Sequence, residues 1–100
     1  MVFELDNDGY PTDETLNNIK CYNGDYYDLF NEIEYLFDQY GGADFDSKNN
    51  QWTLVTGGWS GNESIILAIE SNILMYQSCW ESSHRGGKFV FKIKEPLIDK

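Results

Sequence analysis

A change of hydrophobic period halfway along the chain constrains its fold more than any other feature. Tyr26, Leu29, Phe30, Ile33, Leu36, Phe37 and Tyr40 recur at spacings of three and four, which draws one apolar stripe along a four-turn helix. Asp25 stands where a helix cap belongs, and Gly41-Gly42 are expected to stop the helix. From Gln51 the period becomes two. Trp52 and Leu54 alternate with Thr53 and Val55, the pattern of a strand that ends at Gly57-Gly58.

The remaining segments extend this plan. Asp6-Asn7-Asp8-Gly9 reads as a turn in a loose opening segment. Tyr10-Pro11-Thr12 then begins a helix in which Thr12 caps, Asp13 and Glu14 suit the positive first turn, and Leu16 and Ile19 form a short apolar face. Asn23-Gly24 ends it, and residues 43–50 read as a polar loop. Ser60 or Asn62 is expected to cap a third helix, with Ser60 and Glu63 at capping-box spacing. Its buried edge is Ile65, Ile66, Ile69 and Ile73, and Asn72 closes it. A strand over about 74–82 follows, then a turn at His84-Arg85-Gly86-Gly87 and a last strand over 88–94. There Phe89, Phe91 and Ile93 face one way, while Lys88, Lys92 and Lys94 face the other. The expected class is α+β, in the order α-α-β-α-β-β: one domain over residues 1–100, with helices on one face of a small, mainly antiparallel sheet.

Charge is unevenly placed. Residues 1–50 hold twelve acids against Lys20 and Lys48, a net of −10, whereas residues 51–100 hold five acids and five bases. Free nucleic acid is repelled by such a chain, because phosphate binding needs clustered Lys and Arg. A basic protein is attracted. No apolar run has the character of a signal peptide or approaches membrane-spanning length. Cys21 and Cys79 lack motif spacing and read as two buried thiols in a reducing, cytoplasmic compartment.

One segment is unusual enough to suggest a site. Thr56-Gly57-Gly58-Trp59-Ser60-Gly61-Asn62-Glu63 places three glycines in five residues between a strand end and a helix start, where free N–H groups favour an anion. If the last hairpin lies beside this turn, Arg85 and Ser60 converge with those groups on a carboxylate or phosphate. The bland alternative is an ordinary turn with Trp59 folded back on the core. Gly58-Trp59-Ser60-Gly61-Asn62 misses the nucleophile-elbow pattern at its last residue, and His84 is the only histidine. No base and nucleophile are matched, so the chain reads as non-catalytic. The run Glu4, Asp6, Asp8, Gly9 opens like a calcium loop but ends on Thr15, and no Cys/His spacing suits zinc. No metal or cofactor is expected.

Tyr10-Pro11-Thr12, the turn 56–63, and Cys79-Trp80 followed by Ser82-Ser83-His84-Arg85-Gly86-Gly87 together resemble a family of small, mostly uncharacterised bacterial and phage-associated proteins. That family carries a Y-P-T start, a T-G-G-W-S-G-N-E turn and a C-W-x-S-S-x-R-G-G hairpin. The likeness spans about residues 10–93 and implies a shared domain rather than an activity. The family hairpin commonly continues G-G-H-Y, but here Lys88-Phe89 follows, so no role for a histidine after the glycines carries over.

Three functional readings follow. The leading one is a small acidic interaction protein whose helix 25–40 presents Asp28, Glu32, Glu34 and Asp38 to a basic partner, as an immunity-type protein or a phage counter-defence inhibitor does. The alternative is an anion or small-molecule site built from Gly57, Gly58, Trp59, Ser60, Gly61, Asn62, Trp80 and Arg85. The third is self-association through Tyr22, Tyr26, Tyr27 and Tyr35.

Overall fold

The computed structural model describes residues 2–37 and 41–93. Its elements, in chain order, are α1 (Asp13–Cys21), α2 (Tyr26–Leu36), β1 (Gly42–Asp46), β2 (Gln51–Val55), α3 (Ser60–Ser71), α4 (Ile73–Cys79), β3 (Trp80–His84) and β4 (Lys88–Lys92). The strands form one antiparallel sheet in the order β1-β2-β4-β3. The α+β class holds, but the element order gains a strand and a helix.

The periodicity of β2 and β4 explains which face is covered. Trp52 pairs with Phe91 and Leu54 with Phe89, so four apolar side chains share one face. Helix α2 lands there. Phe30 lies 5.5 Å from Trp52 and 5.2 Å from Phe91, ring centroid to centroid. Trp52 is also flanked by Phe45 at 4.1 Å and Tyr27 at 5.3 Å. Such ring pairs add about 0.5–1.5 kcal/mol each beyond the area they bury. Ile19, Ile33, Ile65, Ile69 and Met75 complete the same buried cluster. On the opposite face stand Asp44 and Asp46, Gln51 and Thr53, Lys88 and Lys92.

The loop expected over 43–50 is instead β1 and a tight turn. Ala43 and Phe45 point to the core and Asp44 and Asp46 to solvent. Asp46 organises the turn by accepting from the Lys48 N–H at 3.0 Å and from Asn49 Nδ2 at 2.8 Å. The Asn49 amide is the main reason its carboxyl titrates below the ordinary aspartate value. Asn50 closes the turn with a positive φ of 51°. Helix α2 ends at Leu36 with Phe37 as its C-cap, not at Gly41-Gly42. Gly41 serves another purpose: a β-carbon there would collide with the Val55 carbonyl.

The strand expected over 74–82 is also corrected. Residues 73–79 form α4, and only Trp80–His84 are extended. Asn72 decides this. It ends α3, and its Oδ1 accepts from the Met75 N–H, capping the next helix. Its Nδ2 donates to the carbonyls of Ile19 and Tyr22 at 3.0 and 3.1 Å, so one buried amide ties α1 to the α3–α4 corner. Met75 and Cys79, one turn apart, face inward, whereas Ile73 is 61% exposed and not part of the buried edge.

Helix α1 is capped by Thr12 as expected. The opening segment is not loose. Asp6 Oδ1 accepts from the N–H groups of Asp8 and Tyr10, and buried Thr15 bonds both the N–H and the carbonyl of Glu4. Of the two free cysteines, Cys79 is buried but Cys21 is exposed. No helix among the described residues is long and apolar enough to cross a membrane.

Candidate functional site

Two regions drew attention in the sequence. The first is the outer side of α2. Its apolar stripe is fixed on the sheet by Phe30, Ile33 and the rings around Trp52, so the residues between are turned away. Asp28, Asn31, Glu32 and Tyr35 are exposed, and they lie at helical spacings of three and four along one outward stripe. Tyr35 is 69% exposed. The helix carries no basic residue, so nothing on it neutralises these carboxylates.

The four carboxylates expected to act together do not form one set. Glu34 is half-buried, and its Oε1 accepts from Trp52 Nε1 at 2.9 Å. It anchors α2 to β2 rather than facing outward. Asp38 lies outside the described residues. The field of the remaining acids is felt at Tyr22, whose phenol donates to the Asp25 carbonyl at 3.1 Å. Partial burial, then the charges of Asp28, Asp25 and Glu32, raise its pKa above the ordinary tyrosine value. Tyr27 is partly exposed, although its ring meets Phe45 and Trp52, while Tyr22 and Tyr26 are half-buried.

The second region is the glycine-rich turn, and its centre is Thr56. The Thr56 N–H donates to the Gly87 carbonyl at 3.0 Å, which sets the last hairpin beside the turn. Its carbonyl accepts from the Trp59 N–H and from Asn62 Nδ2, and its Oγ1 accepts from the Gly58 N–H. The glycines fit this packing. Gly57 and Gly58 have φ of 65° and 74°, and at Gly87 a β-carbon would strike Thr56 Oγ1. At Gly61 a β-carbon would strike the Trp59 ring, which therefore rests on the first turn of α3.

Trp59 is half-buried, 5.0 Å from the Tyr10 ring, and Ser60 Oγ donates to Tyr10 Oη at 3.1 Å. The N-cap of α3 is Trp59, not Ser60 or Asn62, and no side chain caps the helix. The Ser60–Glu63 capping box does not form, because the Ser60 hydroxyl is turned toward Tyr10. Asn62 is fully buried, and its Oδ1 has no hydrogen-bond partner. That acceptor costs about 1–3 kcal/mol of lost solvation.

The hairpin therefore does lie beside the turn, and Arg85 is exposed on it. Trp80 is elsewhere. It begins β3, at the opposite end from the Gly86-Gly87 turn, where it stacks on Tyr76 at 5.9 Å and donates to Ser83 Oγ at 2.8 Å. An anion approaching α3 would meet the Trp59 ring over Gly61 and the Glu63 carboxylate in the first turn. Among the described residues no three His, Cys, Asp or Glu side chains converge to hold a metal. Tyr10 is the member of this cluster that sequence reasoning missed. Its Y-P-T context marked a helix start, but nothing in the sequence places it on a tryptophan about fifty residues away. Comparisons with protein-family models, with curated proteins and with solved structures found no match for this chain.

Proposed function

We propose that the protein is a small acidic interaction module that binds a basic protein partner through the outward stripe of α2. The observation that carries this reading is the exposure of Asp28, Glu32 and Tyr35 on one side of a helix without a base. The two carboxylates supply long-range attraction to a positive surface, and the tyrosine supplies a rigid ring with a polar tip for the contact itself. The same arrangement suits a protein groove that otherwise holds nucleic acid, since carboxylates at helical spacing stand in for phosphates. An inhibitor of the immunity or counter-defence type acts in this way.

Asp25 extends the stripe at its N-terminal end, where it also caps the helix. Glu34 is left out of the binding set because its carboxylate is engaged by Trp52. The test is affinity capture from the source cell's lysate with two baits, the native protein and the Asp28→Asn, Glu32→Gln, Tyr35→Ala variant. A partner held by the first and lost by the second, with binding that weakens as salt rises, supports the reading. A partner indifferent to all three substitutions overturns it.

A further inference from the structure

The α1–α3 side of the molecule carries a different surface. Leu67, in the middle of α3, is 63% exposed, a large apolar side chain standing clear of the core. A shallow groove lies on each side of it. One, of about 360 Å³, runs between α1 and α3 and is lined by Leu16, Lys20, Ser64, Ala68 and Ser71. The other, of about 310 Å³, runs between α3 and the β4 hairpin and is lined by Glu63, Ile66, Glu70, Thr56 and Phe89. The first groove has a base at its rim, and the second has two acids. A knob between two grooves of opposite charge fits a second copy of itself.

Helices α1 and α3 run side by side in the same direction. Tyr10, just before α1, bonds Ser60 at the start of α3, and the Ile19 carbonyl near the end of α1 bonds Asn72 at the end of α3. Lys20 is therefore level with Ser71, and so with Glu70 on the other side of the ridge. A two-fold axis along α3 keeps these levels and exchanges the sides. With that axis displaced from the ridge toward α1, each Leu67 enters the α1–α3 groove of the other copy, and each Lys20 faces the other copy's Glu70. An axis across α3 at Leu67 would keep the sides and reverse the levels, setting Glu63 of each copy against Glu70 of the other, which the charges disfavour. We infer that the protein forms a two-fold dimer through the Leu67 face of α3, registered by Lys20–Glu70 pairs. At the far end of the contact Glu63 comes level with Asp13 and Glu14 of the other copy, so the association is weak and reversible. The α2 stripe takes no part and stays open.

Sedimentation equilibrium of the whole chain, from micromolar to millimolar concentration, tests the inference. The average mass should rise toward twice the monomer for the native protein. It should stay at one monomer for Leu67→Asp, whose exposed position leaves the thermal unfolding curve unchanged. Lys20→Glu should weaken association about tenfold, Lys20→Glu with Glu70→Lys should restore it, and Glu63→Lys should tighten it. A native chain that remains monomeric at millimolar concentration overturns the inference. So does a dimer that survives Leu67→Asp, or one that the charge exchange does not restore.

Discussion

Helices α2 and α3 cover the same face of one sheet, yet they turn opposite chemistry outward. α2 is seated by aromatic rings and shows carboxylates and a tyrosine to solvent. α3 is seated by isoleucines and shows a bare leucine between two shallow grooves. The seating and the outward chemistry of a helix are therefore separate choices. The buried stripe decides where the helix lies, while the remaining positions are free to carry function.

Single substitutions act on the seating of each helix separately. Trp52→Ala should have the largest effect. It removes the ring on which α2 rests and leaves Glu34 without its donor, at a cost of about 3–5 kcal/mol in urea unfolding. On the α3 side, Asn72→Ala removes bonds to the carbonyls of Ile19 in α1 and of its C-cap Tyr22, together with the cap of α4, and should cost about 2 kcal/mol. Amide exchange should rise first at α1 and α4, with α2 spared; uniform loss of protection would argue against a local tie.

The turn that launches α3 gives a sharper contrast between neighbouring glycines. Gly87→Ala meets both a positive φ and the Thr56 hydroxyl, whereas Gly58→Ala meets the φ alone, with open space beyond. Gly58→Ala should therefore cost about 1 kcal/mol, the ordinary left-handed penalty, and Gly87→Ala clearly more. Equal losses would mean that the Thr56 contact has no weight.

The smallest effects concern the α2 stripe itself. Asp28→Asn with Glu32→Gln should shift stability by no more than about 0.5 kcal/mol, since neither side chain is buried. The pair should nonetheless lower the raised pKa of Tyr22, read by phenolate absorbance, because both charges oppose its ionisation. The folded chain holds the Tyr22 proton more tightly than the unfolded one. Its contribution to stability is thus full below the ordinary phenol pKa and is lost as pH rises through the raised value. A Tyr22 titration unmoved by the two amides would show that burial and the nearby Asp25 set the shift.

Much of the α2 region was legible in the sequence. Seven apolar residues at helical spacing and the cap Asp25 predicted the helix, and alternation predicted β2 and β4. β1 was not legible, because Ala43 and Phe45 are only two apolar positions and acids fill the rest; pairing with β2 makes it a strand. α4 was misread because Ile73–Cys79 is short, and only the Asn72 cap and the burial of Met75 and Cys79 make it helical. Asp28 and Glu32 sit outward as their spacing predicts. Glu34 does not, since its fate depends on an indole from another element.

By itself, then, the sequence determined the α+β class, the seating of α2, the caps Thr12 and Asp25 and the acidic character of the N-terminal half. These depend on neighbours within one or two turns, where spacing is geometry. Tertiary structure decided which carboxylates are free, how Trp59 lies on Gly61 beneath Tyr10, and where Leu67 stands between its two grooves. Those outcomes rest on contacts between residues far apart in the chain, and no local period encodes them.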